Sequence, residues 1–380
     1  MAKSVISTLS QSRRGDLGEG RAPEFVSVQG WHHPLRRTRP AHARRIEEKP
    51  MFIPGLYPLA LFMMIVTMIC WGSWANTQKL CKGWRFELFY WDYVFGIVLI
   101  SVLLGFTMGN TNPSSPDSFL ANLRAADGHH LLLAFLGGVV FNVANILLVA
   151  AIAIAGLAVA FPIGIGLALV IGAVLNYVIE PKGNPVLLFG GIFLVVVAII
   201  LDAFAYRKLV KDLSVSTKGI LLSLLCGVGM GLFYPLVASA GKGPGHLVPY
   251  SVTFVFALGV LACTIPVNYI FMRKPVSGPP VSMGDYFRGS GALHFWGLLG
   301  GIIWGVGMIF NVVASYAPLV GPATAYALGQ GATMISAIWG VFVWHEFAGA
   351  PPSARRLIAL MFLCFVIGLS GVAVAPIVNF

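Results

Sequence analysis

Long apolar runs separated by short polar breaks set the rhythm of this chain. A helix needs about 20 mostly apolar residues to cross a bilayer. Uncharged runs at 57–78, 93–109, 186–201, 219–241, 249–272 and 357–378 each mark one crossing. Two longer runs hold a pair of helices each. No Asp, Glu, Lys or Arg stands between Gly128 and Ile179, a stretch of 52 residues that breaks near Gly156. None stands between Gly289 and His345, where Pro318, Gly321 and Pro322 mark the turn. The pattern predicts an all-α polytopic membrane protein with ten transmembrane helices. They fall at 57–78, 90–109, 130–154, 157–179, 186–206, 218–240, 249–271, 293–316, 320–344 and 357–378.

Composition agrees with that class. The chain is 57% hydrophobic and only 10% charged, against about 25% charged in soluble domains. The bilayer must therefore be part of its solvent. The formal charge of +11 would suit a nucleic-acid binder elsewhere. Here the basic residues sit between apolar runs, so membrane lipid is the expected partner and nucleic acid is not. Cys70, Cys226, Cys263 and Cys364 lie within apolar runs and Cys81 just after one. That spacing gives neither a disulfide framework nor a metal site, and no cofactor is expected.

Residues 1–50 differ in kind. They hold ten of the 25 Lys and Arg, are polar and unpatterned, and lack the apolar stretch of a signal peptide. Disorder is the expectation. Met51 directly precedes the first span and reads as an alternative start. The other reading is a basic tail lying on lipid headgroups. Loop charge sets the orientation. Lys79, Lys82, Arg85, Arg207, Lys208, Lys211, Lys218, Arg273, Lys274, Arg288, Arg355 and Arg356 face one side, twelve in all. Arg124, Lys182 and Lys242 face the other. The twelve mark the cytoplasmic side, which puts both ends of the 51–380 body outside. The basic tail alone argues the opposite.

The body carries an internal repeat. Leu136-Gly137-Gly138-Val139-Val140-Phe141 in the third span matches Leu299-Gly300-Gly301-Ile302-Ile303-Trp304 in the eighth, at an offset of 163. The same offset pairs Ala160 with Ala323 and Gly166 with Gly329, and a three-residue slip sets Glu180 opposite Glu346. Five helices per half, at 51–207 and 208–380, give the second half the opposite orientation. That is an inverted repeat, with a binding site expected at the midplane between the halves.

The stretch Cys70-Trp71-Gly72-Ser73-Trp74-Ala75-Asn76-Thr77-Gln78-Lys79-Leu80 resembles the first helix of the ureide permeases, and Glu87-Leu88-Phe89-Tyr90-Trp91-Asp92-Tyr93 resembles their second motif. The resemblance covers about residues 51–380. It implies the ten-helix plan of the drug/metabolite transporter superfamily and proton-coupled uptake of allantoin, uracil or a related oxo-nitrogen heterocycle. Plant members carry a long central loop with a P-loop-like sequence. Here Tyr206 to Lys218 is short and contains no G-x-x-x-x-G-K-[ST], so nothing supports nucleotide binding. The short connection keeps sugar uptake of the glucose/ribose type, or metabolite or drug export, open as alternatives. An integral protein of a bacterial inner membrane is the expected setting.

Polar groups at membrane depth are costly unless they pair or face a cavity, which makes them informative. Trp71, Trp74 and Thr77 lie near one face of the first span. An indole can stack on a planar heterocycle, and Asn76 can both donate and accept. The competing reading is an interfacial aromatic belt. Asn142 and Asn145 in the third span and Asn311 in the eighth suit either a pocket or interhelical bonding. Gln330, four residues after Tyr326, suits recognition of a carbonyl/amide edge. Tyr234, before Pro235, fits an opposite wall or a kink. Asp92, flanked by Tyr90, Trp91 and Tyr93, is the candidate for proton coupling. A helix-start charge, or a pair with Arg85, is its alternative. Glu180 and Glu346 read as a matched structural pair bound to loop cations, and Asp202 reads as a partner of Arg207 or Lys208. No H-E-x-x-H, no G-x-S-x-G and no carboxylate pair within one span supports an enzyme. The expected partners are a small-molecule substrate and protons.

Overall fold

The computed structural model describes residues 49–209 and 217–378. The expected disordered tail, through residue 48, lies outside the described residues. So does the stretch 210–216 of the short central connection. Among the described residues the architecture is all-helical, and ten helices are long and apolar enough to span a membrane. They are α1 Tyr57–Leu80, α2 Phe86–Asn110, α3 Gly128–Ala155, α4 Pro162–Ile179, α5 Pro185–Arg207, α6 Thr217–Ala240, α7 Pro249–Arg273, α8 Gly291–Ser315, α9 Pro322–Val343 and α10 Pro352–Val374. Large apolar side chains such as Leu99, Leu103, Phe193 and Leu363 stay exposed on their outer faces. In a bilayer those faces meet lipid.

Sequence chemistry sets the ends. Gly156 separates α3 from α4 with φ near 75°, a left-handed conformation that favours glycine. Asn184 caps α5 by accepting from the amides of Val186 and Leu187. The second helix begins at Phe86, earlier than the apolar pattern predicts, because Arg85 folds back onto Glu87 at 2.8 Å and lets that charge enter the first turn. The tenth begins at Pro352, a residue suited to a first turn, with Arg355 and Arg356 exposed beside it.

Two spans are broken. The first changes direction at Trp74, between helical pieces Tyr57–Ser73 and Ala75–Leu80. The ninth runs as Pro322–Gly329, then Ala332–Ile338, then a π-helical turn at Trp339–Val343. Such interruptions are tolerated at membrane depth where protein or a water-filled cavity covers the freed backbone.

The bundle closes on glycines. The α2–α8 pair meets where Gly96 faces the Leu298 carbonyl and Gly301 faces the Tyr93 carbonyl. The α3–α7 pair meets where Gly138 faces the Phe256 carbonyl and Gly259 faces the Phe135 carbonyl. A Cβ at any of the four would collide with backbone, which cannot yield. Gly301→Val should therefore cost at least about 1–3 kcal/mol, the scale of overpacking, and lose most detergent-extractable folded protein. Gly190→Val, where a side chain meets open space, should not. Size-exclusion profiles of the two variants check this.

Candidate functional site

A cavity of about 410 Å³ lies among α1, α3, α4, α5, α6, α8 and α9, with Phe86 at the start of α2. Its deep wall is aromatic. Trp71 stacks on Trp304 at 5.8 Å between ring centroids, and its indole Nε1 donates to the Trp304 carbonyl. Phe141 packs against Trp304 at 4.4 Å and against Phe233 at 5.3 Å. Trp74 lines the same space and rests on Tyr93 at 4.7 Å. The break in α1 at Trp74 and the break in α9 after Gly329 both fall at this cavity.

Of the residues singled out in the sequence, Trp71, Trp74, Asn76, Asn145 and Gln330 line the cavity. Their polar groups are not equally available. Asn76 is engaged at both ends of its amide: the nitrogen donates to the Ser73 carbonyl, and the oxygen accepts from Trp344 Nε1 at 2.6 Å. With Trp339 Nε1 donating to Ser73 Oγ and Ser336 Oγ donating to the Gly72 carbonyl, it ties the end of α1 to α9. Asn145 donates to the Tyr90 hydroxyl. Among the described residues its carbonyl oxygen and the Gln330 side-chain amide make no hydrogen bond, so both are left for a guest.

Thr77, Asn142, Tyr234, Asn311 and Tyr326 sit behind the lining instead. Thr77 returns its hydroxyl to the Trp74 carbonyl. Asn142 accepts from Tyr90 and Thr264, holding α2, α3 and α7 together. Asn311 donates to the Ala325 carbonyl, bridging α8 to α9. The Tyr326 hydroxyl lies 3.2 Å from the Ala168 carbonyl and 3.0 Å from the Met230 carbonyl, and Tyr234 is buried beside it at 5.2 Å between rings. Thr77 thus bonds within its own helix and the others make interhelical bonds or packing contacts, because the helix faces that carry them turn toward a neighbour rather than toward the space.

Asp92 also lies off the cavity. Its carboxylate accepts from the Tyr286 hydroxyl at 2.6 Å, and His294 Nδ1 sits 2.8 Å from its other oxygen. Arg85 is not its partner, being committed to Glu87 and to the Ser277 carbonyl. The unit braces α2, α8 and the short helix Met283–Phe287 against one another.

The charged groups at the cavity are Lys79, Asp202 and Glu346, at the end where α1, α5 and α9 finish. Glu346 accepts from Lys79 at 2.8 Å and from the Tyr206 hydroxyl at 2.5 Å. Burial pushes its carboxyl up, but the bonds from Lys79 and Tyr206 and the Lys79 charge outweigh that and leave it below the usual carboxylate range. Asp202 has no cation within salt-bridge distance among the described residues, and Arg207 and Lys208 are both exposed. At the opposite end Glu180 binds Lys182 at 2.7 Å and also Lys242.

Sequence reasoning missed Phe141, Phe233, Trp304, Trp339 and Asp202 as lining residues. Trp304 carried a signal, since it closes the repeated Leu-Gly-Gly motif opposite Phe141.

A family model described as Ureide permease matches residues 89–218 and 206–375. Ureide permease 2 of Arabidopsis thaliana is 24% identical, covering 83% of this chain and 96% of the relative. Ureide permease 4 of the same plant is 22% identical over 81% and 94%. Probable ureide permease A3 of Vigna unguiculata is 23% identical over 76% and 95%. A solved protein structure superposes with a TM-score of 0.56 at 14% identity, covering 81% of this chain and 95% of that one, a likeness of fold alone.

The Asp92 brace generates a stability prediction. His294→Ala removes a partner of a buried carboxylate and should destabilise the protein by about 1–3 kcal/mol. The double variant Asp92→Asn/His294→Ala should cost less than the two single changes together. Thermal unfolding in detergent measures both.

Proposed function

The chain belongs to the ureide permease family, and from that premise we propose that it is a secondary carrier for a small, planar, polar heterocycle such as allantoin or uracil, taken up with protons. The observation that carries this reading is the pairing of indole walls at Trp71, Trp74 and Trp304 with the unspent Asn145 carbonyl and Gln330 amide. A flat ring with alternating N–H and C=O groups gains stacking from the first and hydrogen bonds from the second. Lys79, the sole cationic lining residue among the described residues, is bound to Glu346, which favours a neutral guest over an anionic one.

Alternating access needs two halves that rock about the site. The glycine contacts support the inverted repeat of 51–207 and 208–380. Gly138 and Gly301 stand 163 residues apart, and so do the carbonyls they face, at Tyr93 and Phe256. Gly96 and Gly259 obey the same offset, as do their partners Phe135 and Leu298. Phe141 and Trp304, again 163 apart, touch at the cavity. Equivalent helices thus pack through equivalent atoms, which chance matches of Gly and Leu would not produce.

The twelve-to-three loop bias supports a cytoplasmic position for the Lys79 and Glu346 end of the cavity. This arrangement is then inward-facing, with the Glu180 ion pairs on the closed outer side. A bacterial inner membrane suits the short central connection.

Proteoliposome uptake of radiolabelled allantoin and uracil, driven by an imposed proton gradient, tests the reading. Accumulation that collapses with an uncoupler is expected. Transport of glucose or ribose with no movement of either heterocycle would transfer the assignment to the sugar alternative. Trp74→Ala should weaken binding of the transported heterocycle by about 1–3 kcal/mol, the scale of a lost base–aromatic stack, with normal expression; an unchanged affinity would make the indole a belt residue. A cysteine at Lys208, in a background without native cysteines, should resist impermeant thiol reagents applied to intact cells. Labelling from outside would invert the topology.

A further inference from the structure

We infer that Asp202 is the carboxyl group that takes up and releases the coupling proton, with Glu346 as its ion-paired neighbour. The inference rests on the carrier reading above and assigns its coupling residue. A proton-coupled carrier needs a titratable group that both the cavity and its opening can reach. Among the described residues only Asp202 and Glu346 bring carboxyl groups to the cavity. The other carboxyls near membrane depth are committed elsewhere: Glu87 to Arg85, Asp92 to Tyr286 and His294, Glu180 to Lys182 and Lys242.

The two cavity carboxyls are not equivalent. Both oxygens of Glu346 are taken, one by Lys79 and one by Tyr206. Asp202 stands one helical turn before Tyr206 on α5, on the same face, within electrostatic reach of Glu346. With Lys79 and Glu346 both ionised, a protonated Asp202 makes the group neutral, and an ionised Asp202 gives it one net negative charge. Such a charge at membrane depth must be matched by a cation or a proton. Lys79 is the cation at hand, but it already holds the end of α1 against the α9–α10 connection through Glu346.

Loss of the proton from Asp202 to water at the mouth therefore sets a second carboxylate competing for Lys79. That competition loosens the tie between α1 and the α9–α10 connection. Proton uptake restores the tie. The titratable and charged groups that line the cavity with Asp202 among the described residues fit this scheme. Tyr206 comes from its own helix, Glu346 from the α9–α10 connection and Lys79 from α1. Tyr177 of α4 and Cys364 of α10 lie outside the cavity lining, as do the exposed Arg355 and Arg356 of α10. His345 lines a separate surface hollow with Arg355.

The test compares Asp202→Asn, Asp202→Glu and wild type in proteoliposomes, with radiolabelled allantoin as the probe. Asp202→Asn should lower gradient-driven accumulation to the equilibrium ratio while keeping allantoin counterflow, since exchange needs no net proton movement. Asp202→Glu, which retains a titratable group, should restore accumulation. Continued accumulation by Asp202→Asn overturns the inference. Loss of counterflow as well, with folding intact, makes Asp202 a binding group and overturns it too. A ligand-free measurement separates this outcome from failure of the carrier reading itself. Tryptophan fluorescence of the full chain in nanodiscs should show a pH-dependent transition, reporting Trp74, Trp339 and Trp344, that Asp202→Asn removes and Asp202→Glu keeps. If the wild type moves no allantoin, the carrier reading for ureides falls, and persistence of that transition in Asp202→Asn overturns the assignment of Asp202 independently.

Discussion

Every polar group carried into a bilayer must find its partner inside the protein, because the hydrocarbon offers none. This structure is organised by that constraint. Tyr90, Asn142, Asn145 and Thr264 form one hydrogen-bonded cluster linking α2, α3 and α7. Asn311 and Tyr326 spend their groups on backbone carbonyls of neighbouring helices. Ser73, Asn76, Ser336, Trp339 and Trp344 satisfy one another across the α1–α9 seam. A few buried atoms keep no partner among the described residues, such as Asn176 Oδ1, Asn311 Oδ1 and Thr324 Oγ1, but these are sealed within the packing. At the cavity itself, among the described residues, the Asn145 carbonyl, the Gln330 amide and the Asp202 carboxyl are left unspent.

The same constraint explains the glycines. Helices in lipid gain nothing by hiding apolar side chains from one another, so their association depends on close packing. At α2–α8 and α3–α7 the backbones approach until only glycine fits. These two contacts fix the scaffold around which the cavity is built. Larger side chains at the same level, Phe141, Phe233 and Trp304, then fill the centre from three different helices. A rigid frame with an aromatic centre is what a carrier needs if its substrate is to be held by shape and stacking rather than by charge.

The ten spans were legible in the sequence because length and apolarity alone decide them, and the observed helices follow the predicted order. Where the ends moved, at Phe86 and Pro352, local ion pairing and a first-turn proline overrode hydropathy. The site was legible only in part. Trp71, Trp74, Asn145 and Gln330 could be picked out as polar or aromatic interruptions of apolar runs. Thr77, Asn142, Asn311, Tyr234 and Tyr326 look the same in sequence, yet they face neighbouring helices. Span composition does not tell a face that meets a cavity from one that meets another helix. Phe141, like Trp304, stood in the repeated motif without being marked as a lining residue, and Phe233 was invisible because a phenylalanine in an apolar run carries no signal.

Asp202 shows how sequence proximity misleads. Arg207 and Lys208 follow it closely, so a local ion pair seems natural. On a helix of 3.6 residues per turn, however, positions five and six residues on point away from the starting face, whereas the fourth comes back beneath it. The residue that shares the face of Asp202 is Tyr206, and Tyr206 reaches not a cation but Glu346, 140 residues further along the chain. Arg207 and Lys208 remain exposed at the helix end, where cations also complement the helix dipole. The two cations thus sit at the helix terminus, and the carboxyl they were expected to neutralise is left lining the cavity.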